Sequence, residues 1–253
     1  MNTEVKIYGL GWVGRSMKTM FPNAMVHDPQ LGYVAEKKAD VAFVAVPTPN
    51  MGKGRLDCSI VEDVVRKAPE DFIVIRSTVM PGTTDKLEAE TGKRICMQPE
   101  YLGETVNHPM TNQKERPFVI LGGKPENRRR LIELYTGVYN ANTSIRQVSN
   151  YEAEVIKLSE NRAIAFKVAQ CQELYDVCEK AGVDFYTIRD AVYGDDPRFN
   201  LWWTFIYPNA RGMNSKCIPK DVYAWAAWAE SVGYKPDITN AMLERNDKWI
   251  SPS

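Results

Sequence analysis

The chain has 253 residues, 44% hydrophobic and 25% charged, with 32 Lys plus Arg against 32 Asp plus Glu. A balanced charge creates no overall field to draw the molecule onto nucleic acid or an anionic membrane, so neither is an expected partner. No apolar stretch approaches the roughly 20 residues of a membrane span, and the five scattered cysteines form neither a zinc-type pairing nor a disulfide framework.

The cysteine pattern favours a reducing, cytoplasmic compartment and no metal site is expected; the N-terminus runs almost straight into a strand-like segment, so no signal peptide is expected either. Val5–Tyr8 reads as the first strand and leads through a glycine-rich turn into a helix. A short second strand, AMVHD, ends at Asp28. Val41–Val46, Phe72–Ile75, Ile95–Met97 and Phe118–Leu121 read as further strands, each bounded by Gly, Pro or polar residues. Ser59–Lys67, Thr84–Thr91 and Pro125–Tyr135 read as helices, with Asp57 as a predicted N-cap and Pro125 at a first helical position. Strands alternating with helices predict an α/β fold with a doubly wound parallel sheet. From about Asn150 the texture changes. Tyr151–Ala181 contains no Gly or Pro, and Gly182 suits the position just past a helix end. Its apolar residues occupy more than one face, which predicts a largely buried helix. Helices are also predicted at Phe185–Tyr193, Pro219–Val232 and Ile238–Trp249. The division is therefore drawn as an α/β domain at 1–147 and an all-helical domain at 148–253, with the boundary near Ser144–Tyr151.

Gly9-Leu10-Gly11-Trp12-Val13-Gly14 is G-x-G-x-x-G between a strand and a helix. Its glycines permit a tight turn and close approach of a pyrophosphate to the helix N-terminus. Asp28, about 20 residues on, is placed to accept from the adenosine ribose hydroxyls and to repel a 2′-phosphate. The expected cofactor is NAD on a Rossmann-like sheet; the alternative is a ligand-free strand-to-helix turn.

Three further motifs follow predicted strands: Val46-Pro47-Thr48-Pro49, Ser77-Thr78-Val79-Met80-Pro81-Gly82-Thr83-Thr84, and Pro99-Glu100-Tyr101-Leu102-Gly103-Glu104. Open α/β sheets place their ligands at such carboxyl ends. Together with Glu154-x-x-Lys157-x-x-x-Asn161 and Cys217-Ile218-Pro219-Lys220-Asp221, the ordered set resembles the UDP-glucose/GDP-mannose dehydrogenase family across nearly the whole chain. The resemblance implies oxidation of the C6 alcohol of a UDP- or GDP-hexose to a uronate, by two hydride transfers through a cysteine thioester. It implies Cys217 as nucleophile, with Lys157 and Asn161 holding the C6 oxygen or a water. Asp221 and Thr78 would act on that water, and Glu100 as acid/base in hydrolysis. Pro47, Thr48, Thr78 and Glu104 join the cofactor residues, Glu104 from a supporting position. Tyr101, Leu102, Lys157, Asn161 and Lys220 join the substrate residues, and a homodimer is expected. Pro219 at a first helical position would set Cys217 just ahead of a helix N-terminus, beside Lys216 and Lys220, an electropositive setting that favours a thiolate. The other four cysteines are read as inert and buried. The plain alternative for Lys157 is a surface ion pair with Glu154.

The chain is expected to be a short form without the family's C-terminal nucleotide-binding domain. Gly212-Met213-Asn214-Ser215-Lys216-Cys217 also departs from the family's G-F-G-G-S-C-like pattern. Two rivals stay open. One is a single-hydride dehydrogenase of the 3-hydroxyacid/6-phosphogluconate type, which needs no cysteine. The other is a non-catalytic NAD-binding subunit. Asn127-Arg128-Arg129-Arg130 is read as a solvated helix face. Trp225 and Trp228 are read as core or oligomer interface.

Overall fold

The computed structural model describes residues 3–103 and 112–251. The chain divides into two compact units. One comprises residues up to Met51 together with Leu56–Lys157; the other comprises Gly52–Arg55 and the residues from Leu158 onward.

In the first unit, β1 (Val5–Tyr8), β2 (Met25–His27), β3 (Val41–Val44), β4 (Phe72–Ile75) and β5 (Arg94–Met97) form one sheet in the order β2-β1-β3-β4-β5. Every pairing is parallel. The strands read as near-continuous apolar runs because both faces are covered. Side chains alternate between the faces. Ala42, Val44, Ile73, Ile75, Ile95 and Met97 face Val61 and Val65 of α2 (Ser59–Lys67) and Leu87 of α3 (Thr83–Thr91). Val5, Ile7, Val41, Phe43 and Val74 face Met17 and Met20 of α1 (Trp12–Met20) and Leu131 and Tyr135 of α4 (Pro125–Tyr135). The sheet is thus doubly wound, and the strand order reverses between β1 and β3. Crevices form at the carboxyl edge of such a reversal. From β1, Lys6 Nζ lies 2.7 Å from Glu70, both side chains fully buried, and Tyr8 donates to the same carboxylate at 2.8 Å.

β6 (Phe118–Gly122) pairs in parallel with β7 (Ser144–Val148) as a separate two-stranded sheet. β7 was not anticipated: Ser-Ile-Arg-Gln-Val is polar and partly exposed, so it carries no strong apolar signal. The arginine run on α4 is only in part the solvated face the sequence suggests: Arg129 is exposed, whereas Asn127 is buried and Arg128 and Arg130 are half-buried. Arg128 donates to the carbonyls of Gly123 and Val148, and Arg130 lies over the Phe72 ring at 4.8 Å while donating to the Asp40 carbonyl.

α5 (Asn150–Ala181) runs unbroken for 32 residues. Its first residue fastens the sheet edge: Asn150 Oδ1 accepts from Met97 N–H at 2.9 Å and Nδ2 donates to Asp85 at 3.0 Å. At its far end Gly182 takes φ +68°, and Val183 N–H bonds back to Cys178, closing the helix in a Schellman-type turn. The second unit adds α6 (Phe185–Asp190), which widens into a π-helical turn at Ala191–Asp195, α7 (Ile218–Ser231) and α8 (Asp237–Ile250). One core joins Ala165, Val222, Met242, Leu243 and Trp249; another joins Cys171, Cys178, Phe185 and Tyr193. Trp225 packs edge-on to Trp228 and donates to Ser159, with Arg162 over its ring. Among the described residues, no helix is long and apolar enough to cross a membrane.

Candidate active site

The glycine-rich turn is built by close packing. Gly9 has φ +89°, and a Cβ there would lie 2.5 Å from the Ala45 carbonyl oxygen. A Cβ on Gly14 would lie 1.9 Å from the Gly9 oxygen, so α1 packs directly on the turn. Gly11, the N-cap of α1, is different: a Cβ would meet nothing within 4 Å. Its freedom from protein packing leaves the helix N-terminus accessible to an anion. Asp28 Oδ2 accepts from Leu10 N–H at 2.7 Å, holding the acid against the turn. A carboxylate retains further acceptor capacity for ribose hydroxyls. Val13 is half-buried and Trp12 half-exposed. Pro47 is exposed and Thr48 buried in the loop after β3. That loop is tied to β4's end, where Ser77 Oγ accepts from Val46 N–H and donates to Val46 O. Thr78 follows, half-buried. These residues fit NAD.

Glu100 has an employment that sequence reasoning missed. One carboxylate oxygen is held by buried Arg76; the other accepts from Arg116 at 2.5 Å and from the amides of Tyr101 and Leu102 at 2.6 and 2.8 Å. Burial alone would raise its pKa, but the two guanidiniums and the Leu102 amide more than offset that and hold it at about 2. This geometry does not suit the expected acid/base role, because a carboxylate so strongly stabilised is a poor proton acceptor near neutrality. A charged residue closing the buried strand Phe-Ile-Val-Ile was the available signal for Arg76. Glu104 and His108 lie outside the described residues.

Lys157 and Glu154 are both buried, so neither lies on a solvated face. The Lys157 ammonium sits 5.1 Å from the centre of the Tyr101 ring. Glu154 caps α3, accepting from Gly82 N–H (2.6 Å), Thr84 N–H (2.8 Å) and Thr84 Oγ1 (2.6 Å). Burial raises its pKa to about 7 against the pull of those donors. Leu102 is half-buried beside Tyr101.

In the second unit Cys217 is exposed and is the N-cap of α7, with Ile218 first in the helix and Pro219 second, one position later than predicted. A helix N-terminus concentrates partial positive charge there. Cys96, Cys171 and Cys178 are buried, and Cys58 is half-buried. Asp221, one turn into α7, is fully buried. Asn161 Nδ2 donates to its Oδ2 at 2.5 Å, and Lys220 Nζ contacts its Oδ1 at 2.6 Å. The structure therefore brings Asn161, Lys220 and Asp221 together in one unit. It brings Glu100, Tyr101 and Leu102 together in the other, with Lys157 over the Tyr101 ring.

A doubly wound sheet with a packed glycine turn, an open helix N-terminus and an acid at the end of β2 defines an NAD-binding domain of the dehydrogenase type. Residues 32–140 match the NAD binding domain of the UDP-glucose/GDP-mannose dehydrogenase family, and residues 151–248 match its central domain. The chain belongs to that family. It is 26% identical to the UDP-glucose 6-dehydrogenase AglM of Haloferax volcanii, over 96% of this chain and 69% of that protein. It is 30% identical to a UDP-glucose 6-dehydrogenase of Pseudomonas aeruginosa, over 82% of this chain and 48% of that protein. The chain thus spans from about half to about two thirds of the length of the curated relatives it matches. The solved structure of a UDP-glucose dehydrogenase from Pyrobaculum islandicum superposes with a TM-score of 0.82 over 98% of this chain and 68% of that one. At 22% identity that likeness is one of fold.

Proposed function

We propose that this protein oxidises the C6 alcohol of a nucleotide-bound hexose, a UDP- or GDP-sugar, to the uronate, using two NAD molecules in turn. The observation that carries the reading is the accessible Cys217 at the start of α7, one turn from a buried Asp221 that Asn161 and Lys220 hold in place. Single-hydride dehydrogenases have no use for such a thiol.

NAD, when bound, supplies the hydride acceptor for both oxidations. In the first, the C6 alcohol loses a hydride and a proton and becomes an aldehyde. The Cys217 thiolate then adds to the carbonyl carbon, forming a C–S bond and a thiohemiacetal. Loss of a second hydride and a proton leaves a thioester. Water attacks that carbonyl, the C–S bond breaks, and the acid and the thiolate are released. Lys157 and Asn161 are assigned to the oxyanion, where an ammonium and a carboxamide are suitable donors. Asp221 and Thr78 are assigned to the water. Glu100, ionised and clamped, is assigned to fixing the Tyr101-Leu102 turn against substrate rather than to moving a proton. Gly9, Gly11 and Gly14 shape the pyrophosphate site, and Asp28 receives the ribose. A cytoplasmic homodimer completes the reading.

The test is acid quenching during turnover, followed by mass spectrometry of the Cys217 peptide. A sugar-nucleotide adduct on Cys217 supports the reading. A Cys217→Ser variant that still forms uronate at the wild-type rate excludes it.

A further inference from the structure

The segment before Cys217 lacks the glycines its family pattern favours, and the structure contains a substitute. Three consecutive residues are fastened to α5 and α8. Arg211 donates to Gln172 and pairs with Asp176 at 2.6 Å. Gly212 has φ +72°, and a Cβ there would lie 2.8 Å from Asn246 Oδ1 and 3.2 Å from Trp249 Cβ. Met213 is buried; its N–H donates to Asn246 Oδ1 at 2.6 Å, and its carbonyl accepts from Asn246 Nδ2 at 3.3 Å. Asp176 is the hub, because it also accepts from Arg245 at 3.0 Å and Trp249 Nε1 at 2.7 Å. Beyond Met213, residues 214–217 are exposed, and Ser215 Oγ accepts from Ile218 N–H at 3.2 Å.

We infer that Asp176 and Asn246 are positioning residues: they hold Arg211–Met213 as a rigid strap that sets where Cys217 enters α7. The inference rests on the reading of Cys217 as the nucleophile. A glycine-rich loop gains close backbone approach at the cost of conformational freedom. Here only Asn214, Ser215 and Lys216 separate the strap from the thiol, so the reacting sulfur inherits the strap's position. Misplacement of a reacting atom by about 1 Å costs on the order of 100-fold in rate. A small diffusible reagent, by contrast, has no fixed approach geometry.

The experiment pairs Asn246→Ala and Asp176→Asn with three readouts on the full chain. The first is steady-state NADH formation from a nucleotide sugar. The second is iodoacetamide alkylation of each cysteine, followed by mass spectrometry. The third is amide exchange at Met213. The expected result is a kcat lowered about tenfold or more with KM within about threefold, faster exchange at Met213, and Cys217 alkylation within about twofold of wild type. Cys171 and Cys178, buried in the same unit, should stay unreactive and so report that the unit remains folded. An unchanged kcat despite faster Met213 exchange overturns the inference, as does alkylation of Cys171 and Cys178 alongside Cys217, which marks general unfolding. Asp176→Glu should restore most of kcat; failure to do so counts against the hub. A wild-type chain that forms no NADH from any nucleotide sugar instead overturns the functional reading, and with it the catalytic part of this one. Met213 exchange in the same samples would still show whether the strap exists.

Discussion

Replacing Glu100 with Gln removes a carboxylate shared by buried Arg76 and Arg116. The amide oxygen can still accept from the Tyr101 and Leu102 amides, so the change isolates the charge. Glu100 sits at about 2 in the folded chain against an ordinary value of 4.5. At ~1.4 kcal/mol per pH unit, that difference amounts to about 3 kcal/mol of stability at neutral pH. The range for breaking a buried ion pair by removing one partner, about 3–5 kcal/mol, agrees. The folded-state value is depressed, so the contribution is full above pH 4.5 and is lost as pH falls through about 2. Urea unfolding of wild type and Glu100→Gln, followed by circular dichroism from pH 7 to pH 2, should show a gap of about 3 kcal/mol at pH 7 that closes toward pH 2. A gap below about 1 kcal/mol at pH 7, or one that does not vary with pH, would refute the clamp, since an exposed pair contributes no more than that.

Glu154 titrates in the opposite sense. Its folded-state value of about 7 lies above its ordinary 4.5, so its contribution is full below pH 4.5 and is lost as pH rises through about 7. Glu154→Gln should flatten the stability profile between those pH values; a profile of unchanged slope speaks against the buried cap. Lys6→Met leaves Glu70 buried without its cation and should cost about 3–5 kcal/mol in chemical denaturation, whereas the double change Lys6→Met with Glu70→Leu should recover most of it. Gly11→Ala has room on the protein side, so the chain should keep its melting temperature within a degree or two while NAD affinity, measured by calorimetry, falls. If the melting temperature instead drops with affinity intact, the helix N-terminus is not the anion site.

The fold was legible where apolar periodicity was strong. β1 and β3 to β5 read as buried strands because each is almost wholly apolar, and Tyr151–Ala181 read as one helix because nothing in it breaks a helix. β7 escaped notice because its residues are polar and half-exposed and only its pairing with β6 makes it a strand. At the site, the resemblance to the family pointed to Cys217, Asn161 and Asp221, and the structure puts Asn161 on Asp221. Spacing alone could not tell that Lys220 would contact its neighbour Asp221, nor that Glu154 would cap α3. The second depends on an element 70 to 72 positions away in sequence. The arginines around Glu100, and Asp176 and Asn246 around Met213, were invisible for the same reason: these partners lie 16 to 35 positions apart.

The most direct test of the central claim is the number of NADH formed per sugar nucleotide consumed, followed by absorbance with a panel of UDP- and GDP-hexoses, for wild type and Cys217→Ala. The account predicts two NADH per sugar, together with uronate, in the wild type and loss of uronate formation in the variant. One NADH per sugar, unaffected by loss of the thiol, would contradict it and identify a single-hydride dehydrogenase.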